Sequence, residues 1–151
     1  MSEFLTTMVT LEHTRENWLK AWAATRDRTV AGPLGIELED VDAESIVLRM
    51  PITDASRQPM GLLHGGVSMV LAETAASMHS CWGVDLTRFA PVGIEINGSH
   101  LRSATDGWVR AEARVLRRTR TLIVHEIQIL TEPDRDLLCV ARVTNLYKRL
   151  G

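Results

Sequence analysis

Apolar positions recur at two different periods along this chain, and the change of period divides it into a helical opening, a central helix and a run of strands. Leu11, Trp18, Leu19 and Trp22 fall at helical spacing, with Glu12, Arg15, Glu16 and Lys20 outside that stripe. Two Trp on one helix face predict packing, not ligand contact. The helical opening is expected to end near Gly32-Pro33. "LGIELEDVDAESIVLRMPI" then reads as two strands, with Ile46, Leu48, Met50 and Ile52 alternating onto one face. Thr53 to Leu63, which holds Pro59 and Gly61, reads as loop.

In "GLLHGGVSMVLAETAASMHS", Val67, Val70, Leu71, Thr74, Ala75 and Met78 form one stripe of a helix. Met69, Ala72, Glu73, Ala76 and Ser77 cover much of the rest, so the helix is apolar or small nearly all round and is expected to be enclosed by a sheet. Strand patterns follow. "PVGIEINGSHL" alternates Val92, Ile94 and Ile96 against Gly93, Glu95 and Asn97. "WVRAEARVLRR" sends Val109, Ala111, Ala113 and Val115 one way and Arg110, Glu112 and Arg114 the other. "TLIVHEIQIL" and "LLCVARVTNLY" complete the run, with short links at Thr105-Asp106-Gly107 and Arg118-Thr119-Arg120 that favour hairpins. The class is therefore α+β: a curved antiparallel sheet around one long helix, preceded by an N-terminal helix.

One residue does not fit a buried helix. An ionised carboxylate such as Glu73 costs several kcal/mol to desolvate, so either a partner holds it or a site uses it. Gly65-Gly66 opens the same helix, where the first amides lack internal partners and the dipole is positive. Such amides can receive an anion or a developing oxyanion. Ser77 lies four residues beyond Glu73, within reach along one face. Gly65 and Glu73 are about 12 Å apart along the axis, too far for one helix to present both to one small group. Two copies of the chain could do so, Gly65 of one facing Glu73 of the other.

Length and charge narrow the function classes. The 151 residues suit one domain, divided as an N-terminal helical segment, 1–29, and a main domain, 30–151. Hydrophobic content of 45% and a net charge of −2 indicate neither nucleic-acid nor membrane attraction. The N-terminus carries Glu3 where a signal peptide would be basic, and no window approaches the roughly 18 apolar residues of a membrane span. Cys81 and Cys139 lack C-x-x-C spacing, which points to a reduced, cytoplasmic protein with two small core thiols. The five His, His13, His64, His79, His100 and His125, show no zinc spacing, so no metal is expected. His79 ends the helix, where imidazole suits the dipole, and is assigned no chemistry; His125 lies among Ile123, Ile127 and Ile129 as a core or interface residue.

"QPMGLLHGGVSMVLAETAASM", Gln58 to Met78, resembles the signature of hotdog-fold acyl-CoA thioesterases of the phenylacetate-pathway and 4-hydroxybenzoyl-CoA type, which use a helix glutamate. It is similar also to the proofreading thioesterase of enterobactin synthesis. The resemblance runs from about Val30 to Tyr147 and takes in "TVAGPLGIEL" and "VGIEINGSHLRSA". It implies a hotdog dimer, usually doubled to a tetramer, with sites at the dimer interface. Glu73 then attacks the thioester carbonyl or activates water, and the Gly65 amide polarises the thioester oxygen. Gln58 and His64 orient the carbonyl and loop, and Ser77 positions the water or the carboxylate. His100 matches a substrate-side histidine, with Gly66 and Met69 beside the substrate. One departure is Arg102-Ser103, where the family often has Arg-Pro.

The chemistry agrees with these residue types. Thioester hydrolysis needs a base or nucleophile and donors for the developing oxyanion, and no cofactor, coenzyme A being part of the substrate. Arg117, Arg118 and Arg120 at a hairpin turn, with Lys148 and Arg149, suit the phosphates of coenzyme A or an acyl carrier protein arm, or form a solvated tip. His100 is either a site residue or a satisfied core histidine. Two other readings of the fold stand beside hydrolysis: a hydratase or dehydratase, and a non-catalytic domain that binds acyl-CoA.

Overall fold

The computed structural model describes residues 12–151; Leu11 and Glu3 lie outside them. Helix α1, Arg15–Thr25, begins where the Thr14 side chain accepts the Asn17 amide at 3.3 Å. It buries Trp18, Ala21, Trp22 and Thr25, and Trp18 tilts against Trp82 at 5.2 Å between ring centroids. The helix stops at Thr25, earlier than its spacing predicts. A 3-10 turn and a four-residue helix, α2, Ala31–Leu34, take up the remainder. Gly35, at φ +66°, closes α2 in the left-handed conformation that glycine adopts at little cost.

Six strands follow the order β1-β2-β4-β5-β6-β3, every neighbouring pair antiparallel. They are β1 (Glu37–Val41), β2 (Ser45–Pro51), β3 (Phe89–His100), β4 (Trp108–Arg118), β5 (Leu122–Glu132) and β6 (Leu137–Arg149). Helix α3, Gly65–His79, lies between β2 and β3 in sequence and packs on β2 through β6. The alternation of β2 is as expected, Ile46, Leu48 and Met50 being fully buried. So is that of β4, through Val109, Ala111 and Ala113. Small side chains on both surfaces, Ala111, Ala113 and Ala141 from the sheet and Ala72, Ala75 and Ala76 from the helix, let α3 seat closely at interior packing density. Leu71, fully buried in this seam, is worth about 1.5–3 kcal/mol of burial.

Two expectations are corrected. The helix is not enclosed all round: Gly66 and Glu73 are exposed, and Val67, Met69, Val70 and Ser77 are only half-buried. The face toward β3 stays open because β3 offers it Gly93 and Gly98, with no side chains to cover it. The alternation of β3 also breaks. Gly93 pairs with Asn145 but Glu95 with Thr144, so Ile94 is an extra, bulged residue. One inserted residue flips every later side chain to the other face. Val92 and Ile94 are therefore exposed, while Gly93, Ile96, Gly98 and His100 pair with the inward residues Asn145, Val143, Ala141 and Cys139.

Candidate active site

At the start of α3, His64 has extended backbone and acts as the N-cap: its Nδ1 accepts the Gly66 amide at 2.9 Å. Its carbonyl takes the amides of Val67 and Ser68, and its own amide donates to Ser56 O. The Gly65 N–H has no acceptor among the described residues. Gly65 lines a cavity of about 220 Å³ together with Gln58, Ser68, His100 and Arg102. Gln58 is fixed by the turn it heads: Gly61 N–H donates to its carbonyl, and its side-chain oxygen accepts the Met60 amide. The ring of His100 covers the first turn of the helix so closely that a Cβ on Gly65 would lie 2.8 Å from Nε2. His100 is exposed, so it is no core histidine.

Two turns further along α3, a second group gathers. A Cβ on Gly93 would lie 2.9 Å from Glu73 Oε1, and one on Gly98 would lie 2.9 Å from the Met69 methyl. Glycines at these strand positions thus give the helix side chains room against β3. Among the described residues no cation pairs with Glu73. Ser77 does not bond the Glu73 carboxylate; its Oγ accepts the Asn145 side-chain amide at 3.0 Å.

Within one chain, then, Gln58, His64, Gly65, Gly66 and His100 share one end of α3, while Met69, Glu73 and Ser77 lie along its open face. The arginines are elsewhere. Arg118 donates to Trp82 O at 2.7 Å, beyond the C-terminal end of α3, beside a cavity of about 250 Å³ lined by Phe89, Arg120 and Tyr147. Arg117 pairs with Val124 and takes the opposite face from Arg118. Among the described residues no three His, Cys, Asp or Glu side chains gather to hold a metal ion.

Residues 60–138 match the family described as the thioesterase superfamily. The chain belongs to that superfamily. It is a thioester hydrolase of the hotdog fold, as the signature around Glu73 predicts. This thioesterase is 35% identical to the 1,4-dihydroxy-2-naphthoyl-CoA hydrolase of Escherichia coli, over 86% of this chain and 94% of that protein. It is 37% identical to the proofreading thioesterase EntH of Klebsiella pneumoniae, over 85% and 93% of the two chains. Thioesterase PA1618 of Pseudomonas aeruginosa, as the solved structure of a variant, superposes with a TM-score of 0.83 at 38% identity, covering 87% of this chain and 94% of that one. Thioesterase HI1161 of Haemophilus influenzae gives a TM-score of 0.81 at 34% identity, covering 93% and 94%.

The thioesterase also buries two imidazoles on the far side of α3. His79 Nε2 lies 2.9 Å from the Asp42 carbonyl, so that nitrogen carries the proton and donates. His79 Nδ1 must then accept, and His125 Nε2 donates to it at 2.8 Å. The dipole of α3 would favour a cation at His79, but burial decides otherwise and lowers its pKa. Burial pushes His125 down to about 3, with the His79 and Arg118 charges adding to it.

Sequence reasoning missed Asn145, Gly93 and Gly98. The signals were a polar residue in step with Cys139, Ala141 and Val143, and two glycines within one strand.

Proposed function

We propose that this thioesterase hydrolyses an acyl- or aryl-coenzyme A thioester, releasing the free acid and coenzyme A, at a site assembled from two copies of the chain. One observation carries the reading: among the described residues α3 bears an amide without an acceptor at Gly65 and a carboxylate without a cation at Glu73, two turns apart. Each is what the other's reaction partner needs. The Gly65 amide, with Gln58 and His64 shaping its loop, polarises the thioester carbonyl and holds the charge that develops on its oxygen. Glu73 of a second copy, with Ser77 beside it, takes a proton from water as water attacks, or attacks the carbonyl itself and is then freed by water. Either route adds one water across the C–S bond and gives a carboxylic acid and a thiol.

His100, Gly66 and Met69 border the acyl group in this reading, and Arg118 and Arg120 take the phosphates of coenzyme A or of a carrier-protein arm, while Arg117, on the opposite face, stays in solvent. An aromatic acyl group is favoured by the likeness to a 1,4-dihydroxy-2-naphthoyl-CoA hydrolase. The working form is a homodimer, doubled to a homotetramer, in the cytoplasm, and no further cofactor takes part.

Thiol release from a panel of aryl-, short- and long-chain acyl-CoA esters tests the reaction. Glu73→Ala should be slower by about 10²–10⁴-fold, and a wild type no faster than this variant would refute the assignment. The shared site is tested by mixing Glu73→Ala with Gly65→Pro chains. Hybrid dimers hold one intact site and regain activity; if mixing restores nothing, each site lies within one chain.

A further inference from the structure

Asn145 is fully buried on the inward face of β6, in step with Val143 and Ala141 and paired with Ile123 of β5, all three buried apolar residues. Its side-chain amide donates to Ser77 Oγ, yet its Oδ1 is buried without a partner among the described residues. An amide left half-satisfied among apolar side chains costs stability that an isosteric leucine would not. Sites that break packing rules in this way are expected where function asks for it. The place matches. Asn145 pairs with Gly93, and the point where a Cβ of Gly93 would stand is 2.9 Å from Glu73 Oε1, 3.7 Å from Asn145 Nδ2 and 3.9 Å from Ser77 Oγ. Three polar side chains from α3 and β6 thus converge on one glycine.

We infer that Asn145 is a positioning residue for hydrolysis: by donating to Ser77 Oγ it leaves the Ser77 hydroxyl proton free to hold the water on which Glu73 acts. A hydroxyl has one proton and two lone pairs. With one lone pair taken by Asn145, the proton must go elsewhere. The usual sink for a helical serine proton is the carbonyl four residues back, and Ser77 makes no such bond. The hydroxyl is therefore held as a donor on the open face of α3, where Glu73 stands. No covalent step is assigned to Asn145. The inference rests on Glu73 being the reacting carboxylate.

The test uses the full chain and an aryl-CoA ester. Asn145→Leu should lower kcat about tenfold, the rate equivalent of one modest hydrogen bond, with KM within about twofold and Tm unchanged or raised. Asn145→Asp keeps the shape but can only accept from Ser77 when ionised, and should lose kcat at least as much. Ser77→Ala combined with Asn145→Leu should be no slower than the slower single variant, since Asn145 acts only through Ser77. Unchanged kcat in Asn145→Leu, full activity in Asn145→Asp, or losses that multiply in the double variant would each overturn the inference. A lowered Tm with kcat intact would show a purely structural residue. Glu73→Gln separates the two claims. If it keeps full activity, the Glu73 reading fails and this inference with it; if it is inactive while the Asn145 variants behave as wild type, only this inference fails.

Discussion

His100 occupies the space in which a side chain at Gly65 would begin, 2.8 Å separating its Nε2 from the position of that missing Cβ. β3 thereby reaches back over the first turn of α3, and the His100 ring can sit this close only because residue 65 has no side chain. Gly65→Ala keeps the N–H but crowds His100, whereas Gly65→Pro crowds it and removes the N–H as well. Proline suits the first helical position, and His64 is already extended as a residue before proline must be. Both variants should fold. The proline variant should be slower than the alanine variant by about 10²–10³ in kcat, the worth of one oxyanion donor. Steady-state kinetics checked against thermal melts would show it, and equal rates would remove Gly65 from that role.

Gly93→Ala should displace the Glu73 carboxylate, since the new Cβ would stand 2.9 Å from Oε1. The carboxylate is the far end of a flexible side chain, so the fold should survive and the cost fall on kcat, by about tenfold or more. A stopped-flow comparison with Glu73→Ala gives the scale; a variant as fast as wild type would mean that Glu73 works from another position.

Acid should destabilise the fold through the His79–His125 pair. Both imidazoles bind a proton less readily folded than unfolded, so the unfolded chain gains protons first as pH falls. The contribution is complete above pH 6.5 and shrinks toward pH 3. At pH 5 His125 alone should cost about 2 kcal/mol. Urea melts between pH 7.5 and 5 would measure the slope. His125→Gln keeps a donor for His79 Nδ1 without titrating there, and should flatten the slope.

Both cysteines should be silent toward thiol reagents in the native protein. Burial pushes the Cys81 thiol up to about 12 and raises that of Cys139, so neither offers a thiolate near neutral pH. A dithionitrobenzoate titration should read no fast-reacting thiol in buffer and two in denaturant. Reaction of either in the folded state at pH 8 would contradict the packing around α3.

Much of this was legible before any coordinates. Alternation in β2, and in β4 from Val109 to Ala113, is carried by residues with unbroken partners, so period and burial coincide there. The signature from Gln58 to Met78 led to the family through its resemblance to the family's own. The failures have physical causes. Ile94 looked like a core residue because alternation cannot register a bulge, which depends on how β6 pairs with β3. Glu73 looked buried because helical periodicity counts neighbours on the helix and not the glycines facing it. Asn145 stands out as polar in an apolar phase, but its partner Ser77 is 68 residues away in the chain, so its bond could not be read there. His79 read only as a helix-end imidazole because its partner His125 is 46 residues away in the chain.

β3 is an edge strand, and its outer rim has no neighbouring strand among the described residues. The same strand supplies Gly93, Gly98 and His100, the contacts that shape both ends of the open face of α3. Whatever zips onto that rim also sets the strand's twist, and with it the seats of Glu73, Met69 and the imidazole above Gly65. Catalytic output per molecule should therefore depend on how much enzyme is in the tube: specific activity constant when concentrated, falling away on serial dilution.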